Sequence, residues 1–421
     1  MSIKGLKGFK DILPAEIGTW QRIERVARGL FHRYGFAEIR VPILEQTGLF
    51  LRSIGETTDI VEKEMYTFTD KNGDSVTMRP EGTASVLRAF VEHNLHLLQP
   101  IQRLYTIGPM FRHERPQKGR LRQFHQMSVE VLGAEQPLVD AELMAMAWQL
   151  MTELGIAVSL EINSLGCSEC RPVYNQALRD FIDARADKLC DDCRRRRLTN
   201  PLRVLDCKNA NCQEQYKGVP ELPDFICGEC REHFAEVQRL LVLLGVPFKL
   251  NAFMVRGLDY YTRTTFELIT GDLGAQSAVG AGGRYDGLVA QLGGPKISGI
   301  GFAVGMERLS LLLEQANGPQ PDSGIDLFIV ALGEAARDRA FGLAQAVRRG
   351  GLAVLLDPAG RSLKAQMKQA DKFGARFTLI MGEEELQRGV AVLRDMSSKE
   401  QEELQLGEDL TKNLAIRLNH P

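Results

Sequence analysis

Apolar residues recur at helical spacing over residues 19–34, where Trp20, Ile23, Val26, Ala27, Leu30 and Phe31 share one face. Gly35 ends that helix, and the alternation over 36–41 predicts a strand that Pro42 stops. Two short strands, 65–68 and 75–78, flank Asp70-Lys71-Asn72-Gly73, whose Asn-Gly pair is a hairpin-turn signal. Longer strands are predicted over 104–111 and 123–132, joined by a polar, basic loop at 112–122. Short glycine-bounded strands return at 266–270, 277–281 and 299–303, and 306–315 reads as a helix. Then the pattern changes. After a Gly- and Pro-containing linker at 317–324, a buried-type strand at 325–331 leads to a helix at 337–349 and a strand at 353–356. A helix at 362–373 and a strand at 377–381 follow, so strands alternate with helices and predict a small α/β domain.

Size and composition narrow the class. A chain of 421 residues is long for one core, and 44% apolar with 25% charged residues excludes extended disorder. Apolar runs such as 240–246 fall well short of the roughly 20 residues of a membrane span. Residues 1–14 lack the continuous apolar core of a secretory signal, so the expected compartment is the cytoplasm. The net charge of −2 neither favours nor opposes nucleic acid, because local basic patches suffice to hold a folded RNA.

All eight cysteines fall between Cys167 and Cys230, which marks a separate module within the chain. Cys167-x-x-Cys170, Cys190-x-x-Cys193 and Cys227-x-x-Cys230 are close pairs, and Cys207 with Cys212 makes a looser fourth. Four pairs supply the ligands of two Cys₄ zinc sites, while a reducing cytosol disfavours disulfides. A cluster of reduced thiols without metal is the other reading. Arg194 to Arg197 sit beside one CxxC, either as a solvated helix surface or as a contact for RNA.

The loop after Phe111 concentrates charge: Arg112, His113, Glu114 and Arg115, then Lys118, Arg120 and Arg122. Guanidinium forks pair bidentately with phosphate oxygens, so several arginines on one loop suit a polyphosphate; a solvated basic hairpin would look the same. Gly299-Ile300-Gly301 and Gly280-Ala281-Gly282-Gly283 look like pieces of a dinucleotide fingerprint. Neither sits in a strand–turn–helix unit with an acidic residue at the required distance.

Phe111-Arg112-His113-Glu114 between two antiparallel strands resembles motif 2 of the class II aminoacyl-tRNA synthetases. Gly301-Phe302-Ala303-Val304-Gly305-Met306-Glu307-Arg308 is similar to their motif 3, and the helix ending near Tyr34 with the strand before Pro42 resembles motif 1. Arg256-Gly257-Leu258-Asp259-Tyr260-Tyr261 and Gly282-Gly283-Arg284-Tyr285-Asp286 narrow the resemblance to the histidyl-tRNA synthetase family. Arg79-Pro80-Glu81-Gly82-Thr83 and Gln126-Met127-Ser128-Val129-Glu130 match that family's amino-acid pocket.

The resemblance implies an α+β fold: an antiparallel class II sheet with flanking helices over 1–320, a Cys-rich insertion at 165–240, and a C-terminal α/β anticodon-binding domain at 325–421. It implies a homodimer whose substrates are L-histidine, ATP with Mg²⁺ and the cognate tRNA. Arg112 and Arg256 would be catalytic, gripping the histidine carboxylate and the α-phosphate. Arg308 and Arg120 would hold the remaining phosphates, with Glu114 also on the ATP side. Glu81, Thr83 and Gln126 would take the α-ammonium, and Glu130 and Tyr261 the ring nitrogens, with Tyr260 and Tyr285 close by. A regulatory paralogue tends to lose the arginine segment and the tail, and both are present here. On the tail, Arg361, Lys364, Lys368 and Lys372 recur at three- and four-residue spacing, which predicts one basic helix face.

Overall fold

A computed structural model describes residues 3–56, 58–271, 278–318, 324–407 and 409–419. Most of the linker expected at 317–324 lies outside them, as does Ser277 of an expected strand. The chain divides into two compact units, Met1–Gln320 and Pro321–Pro421.

In the first unit, helix α1 (Pro14–Arg33) buries Trp20, Ile23, Ala27, Leu30 and Phe31. It begins five residues before the expected position, because Pro14 starts it and Glu16 sits in its first turn, while the apolar face begins only at Thr19 and Trp20. Strand β1 is just Ala37–Glu38, shorter than the alternation predicts. The reason is Arg79, buried at 3% exposure, whose guanidinium donates to the carbonyls of Val41 (2.7 Å), Pro42 (3.3 Å) and Pro109 (2.9 Å). Those bonds take up carbonyls beyond the point where the β1–β5 ladder ends, and Pro42 has no N–H to extend it.

A small three-stranded sheet follows, built from β2 (Leu44–Gln46), β3 (Tyr66–Thr69) and β4 (Ser75–Met78), with α2 (Thr47–Ile54) between its first two strands. The Asp70 carboxylate closes the β3–β4 turn by accepting from the backbone N–H of Asn72 and of Asp74. Helix α3 (Thr83–Glu92) leads into the long hairpin of β5 (Gln102–Phe111) and β6 (Gln123–Leu132), paired from Gln102↔Leu132 to Phe111↔Gln123. Helix α4 (Pro137–Leu154) is buried along most of its length.

Strand β7 (Ser159–Ser164) enters the cysteine module, whose helices are α5 (Cys170–Asp183), α6 (Asp191–Thr199), α7 (Ala210–Gln215) and α8 (Gly228–Leu243). The chain returns through β8 (Phe248–Leu250), β9 (Thr262–Ile269), β10 (Ala278–Arg284), α9 (Leu288–Gln291), β11 (Gly299–Gly305) and α10 (Met306–Asn317). The eight-stranded sheet has the order β1-β5-β6-β11-β10-β9-β7-β8. Its inner pairs are antiparallel and the outermost pair at each edge is parallel.

A charged cluster around Asp140 lies deep in this unit. Arg284, fully buried, donates to both oxygens of Asp140 (2.7–2.9 Å) and to the carbonyls of Ala134 and Gln136, and His233 Nε2 lies 3.1 Å from the same carboxylate. Burial works against the Asp140 charge, but the His233 bond and the Arg284 cation outweigh it and hold the carboxyl below its ordinary range. Asp140→Asn is expected to lower urea-denaturation stability by about 2–3 kcal/mol at neutral pH. The loss should shrink as pH falls through the depressed native value, where the wild-type carboxylate is itself protonated.

The second unit begins with β12 (Leu327–Ala331), α11 (Glu334–Arg349), β13 (Val354–Leu356), α12 (Leu363–Lys372) and β14 (Phe377–Met381), the α/β pattern read from the sequence. After it come α13 (Glu383–Arg388), β15 (Val390–Asp395), β16 (Gln401–Gln405) and α14 (Leu410–Asn419). Strands β13, β12 and β14 are parallel, and β15 and β16 add on antiparallel. The expected basic face is corrected here. Arg361 precedes α12 and folds onto the Asp357 carboxylate, leaving Lys364, Lys368 and Lys372 exposed opposite buried Gln366 and Ala370.

Candidate active site

A cleft of about 310 Å³ is lined by β6, β10, β11, the 112–122 loop, the 255–261 segment and the starts of α3 and α10. Of the residues picked out from sequence, Glu81, Thr83, Arg112, Glu114, Arg120 and Gln126 line it. Arg256, Tyr260, Tyr261, Tyr285 and Arg308 line it too. Glu130 lies just beneath, 1% exposed, bonded to two of the lining side chains.

One end of the cleft is built on strand alternation and glycine. Glu130 on β6 accepts from the Thr83 hydroxyl at 2.7 Å and from the Tyr285 hydroxyl. The room comes from β11: a Cβ on Gly301 would sit 2.0 Å from a Glu130 oxygen, and one on Gly299 would sit 2.2 Å from the Tyr285 ring. The glycines that look like a nucleotide fingerprint thus make space for a carboxylate and a phenol. Burial, which outweighs the bonds from Tyr285 and Thr83, raises the Glu130 pKa to about 8. Glu81 is also buried; its carboxylate accepts from the Thr83 and Ala84 amides at 2.7 Å each, which seats it at the N-terminus of α3. Burial raises its pKa as well. Both carboxylates are therefore interior. Tyr260 and Tyr261 rings lie 4.7 Å apart, and Tyr260 meets Tyr285 edge-on at 5.7 Å.

The other end is cationic. Arg112 lies over the Phe124 ring, and its Nε donates to the Pro80 carbonyl at 2.8 Å. Arg120 pairs with Glu114, and Arg308 donates to the Ala278 carbonyl. Burial lowers the pKa of all three guanidiniums, and the like charge of Arg112 adds to the lowering at Arg120 and Arg308. Arg256 lies over the Tyr261 ring and bonds Glu267 at 2.6 Å. Burial opposes its charge, but Tyr261 and Glu267 raise its pKa above the ordinary value. Phe124 and Glu267, which support the two central arginines, have no distinguishing mark in the sequence beyond their place on strands. Gln126 Oε1 and Arg256 Nε are buried with no hydrogen-bond partner among the described residues, as donors and acceptors reserved for a ligand would be.

The eight cysteines gather into two tetrads: Cys167, Cys170, Cys227 and Cys230, and Cys190, Cys193, Cys207 and Cys212, with sulfurs within 4.8 Å of one another in each. Cys167–Cys170 is 3.6 Å, Cys170–Cys230 4.0 Å and Cys190–Cys207 3.9 Å. Tetrahedral Zn–S bonds of about 2.3 Å require S···S edges of roughly 3.8 Å, so the donor sets fit zinc. Backbone amides point at the sulfurs, Cys227 N to Cys170 at 3.1 Å and Cys190 N to Cys212 at 3.2 Å. Beside the second tetrad, the arginine run is tied into ion pairs: Arg194 to Asp191, Arg195 to Asp192 and Glu62, Arg196 to Asp59, and Arg197 to Asp183.

Comparisons with known proteins agree with one another. A histidyl-tRNA synthetase family model matches residues 8–309, and an anticodon-binding domain model matches 326–413. The histidine–tRNA ligase of Desulfotalea psychrophila is 62% identical over 96% of this chain and 94% of its own. That of Geobacter sulfurreducens is 58% identical over 96% and 97%. The apo histidyl-tRNA synthetase of S. aureus superposes with a TM-score of 0.82 at 37% identity, covering 98% of this chain and all of its own. No helix among the described residues is long and apolar enough to cross a membrane. With sheet, cleft and relatives in agreement along nearly its whole length, the chain belongs to the histidyl-tRNA synthetase family.

Proposed function

We propose a division of labour among these side chains for the family's reaction, in which histidine is activated with ATP and then joined to tRNA. The reading rests on one juxtaposition: four guanidiniums converge in a cleft that Glu81 and three tyrosines also line, with the Glu130 carboxyl just beneath. A histidine carboxylate oxygen attacks the α-phosphorus of ATP, the bond to the bridging oxygen breaks, and pyrophosphate leaves. Little covalent work falls to the protein, whose task is to hold two anions in line and to offset charge on the α-phosphate. Arg112 and Arg256 grip that phosphate and the carboxylate from two sides. Arg308 and Arg120 take the outer phosphates, Glu114 lies on the ATP side, and ATP arrives with Mg²⁺ completing its shell from phosphate and water. Glu81 and Thr83, with Gln126, receive the ammonium. Glu130 and Tyr261 receive the ring nitrogens, beside Tyr260 and Tyr285. In the second step a hydroxyl at the 3′ end of the tRNA attacks the adenylate carbonyl and AMP leaves.

A site that hydrogen-bonds a ring N–H leaves its own buried groups unpaired with any analogue lacking one, which rejects such analogues by roughly 10⁴-fold. ATP–pyrophosphate exchange should therefore respond to histidine and to none of the other proteinogenic amino acids; exchange driven by another amino acid would sink the assignment of this pocket. The thiol tetrads each take one structural Zn²⁺, which suits a reducing cytoplasm. Assembly as a homodimer through α1 and the Pro42 segment is supported by the motif 1 resemblance and by exposed Ile43 and Leu44 directly after Pro42. Light scattering at micromolar concentration should give twice the chain mass, and a monomer would remove the dimer from this reading.

A further inference from the structure

We propose that the second tetrad, Cys190, Cys193, Cys207 and Cys212, positions the catalytic Arg256 segment through the metal it binds; this rests on the zinc reading above. In that lobe, helices α6 and α7 bury little of their own, and the apolar contribution comes from Leu202 and Val204 between them. Cys193 is the one buried residue of α6, and Cys212 the one buried residue of α7. Helices of 9 and 6 residues without an apolar face are unstable alone, so the metal–thiolate bonds supply the anchorage that their own side chains do not. By contrast α8, which carries Cys230, also buries Phe234, Val237, Leu240 and Leu241, and stands on the main core.

The segment closed by Cys193 and Cys207 reaches the active site. In it, Arg203 is 9% exposed and donates to the Arg256 carbonyl at 3.2 Å, while also pairing with Asp59 and Asp206. Asn200 donates to the Asp259 carboxylate at 2.8 Å, and Arg196 bonds Asp59 at 2.7 Å. Cys193, Cys207 and Cys212 belong to the same buried cluster as Tyr260, Tyr261 and Tyr285. Metal at this tetrad thus fixes Arg203 and Asn200, and these fix the backbone from which Arg256 reaches the cleft. Arg203 is a positioning residue, since it acts through Arg256.

The test uses the full-length protein, with zinc counted by plasma mass spectrometry and histidine-dependent pyrophosphate exchange measured alongside. Wild type should carry two zinc ions per chain, and Cys212→Ser one. Cys212→Ser should lose about 10- to 100-fold in kcat, the scale of a misplaced catalytic group, while near-UV dichroism shows the main core still packed. Arg203→Ala should keep both zinc ions and lose kcat on the same scale with little change in the KM for ATP, and Arg203→Lys should recover part of it. Arg194→Ala, exposed and paired with Asp191 on its own helix, should match wild type. Wild-type protein without zinc would overturn the metal reading itself. Two zinc ions in wild type with unaltered kcat in both Cys212→Ser and Arg203→Ala would overturn the positioning role alone.

Discussion

Arg256→Ala is expected to reduce histidine-dependent ATP–pyrophosphate exchange by about 10³-fold, the scale reached when a preorganised donor to developing charge is removed. The guanidinium is held ready before any anion arrives, by Glu267 at 2.6 Å and by the Tyr261 ring beneath it. In the role proposed for it, at the α-phosphate as charge develops, the loss should appear in kcat rather than in the KM for ATP. Folding should be little affected, because Glu267 retains 23% side-chain exposure and can hydrate when its partner goes. Arg256→Lys should restore little, since an ammonium cannot reproduce a planar fork bridging two oxygens. Exchange within a few-fold of wild type in the alanine variant would remove Arg256 from the chemistry.

Glu130→Gln should raise the KM for histidine by about 10- to 100-fold, the cost of leaving a buried ring nitrogen without its hydrogen-bond partner. The same variant has a second signature. Burial keeps the Glu130 carboxyl protonated up to about 8, far above its value in an unfolded chain. A native pKa raised in this way stabilises the free protein fully below the unfolded value of about 4.5. That contribution then declines as pH rises through about 8. The span corresponds to a ceiling of about 4–5 kcal/mol. Urea midpoints of the wild type should accordingly fall between these limits, and those of Glu130→Gln should lack this component because a carboxamide does not titrate. A pH profile unchanged by the substitution, together with an unchanged KM, would place Glu130 outside the pocket.

Several elements are legible from short stretches because their causes are local. The face of α1 follows from residues three and four apart, and the 102–132 hairpin from alternation on either side of a charged loop. The first three strands of the second unit show as runs of aliphatic residues. Its last strand, Gln401–Gln405, is hidden because it is an edge strand with one buried residue, Leu404, between polar neighbours. Strand β1 misleads for the opposite reason: its alternation is real, but Arg79, forty residues on, captures the carbonyls at Val41 and Pro42. Likewise the i, i+3 spacing that includes Arg361 is outweighed by the Asp357 carboxylate just upstream.

The chain alone determined the kinds of chemistry available and their order along it: an arginine loop between two strands, paired cysteines in one stretch, and the short motifs that mark the family. These are properties of neighbours, set by backbone periodicity and side-chain type. Which pair of cysteines joins which, that Glu130 is interior, and that Gly301 exists to admit it were decided by tertiary structure. Their causes are contacts between β6, β10, β11 and α3, far apart in the chain. Strand order, not spacing, sets where a carboxylate meets a hydroxyl and whether water can reach it.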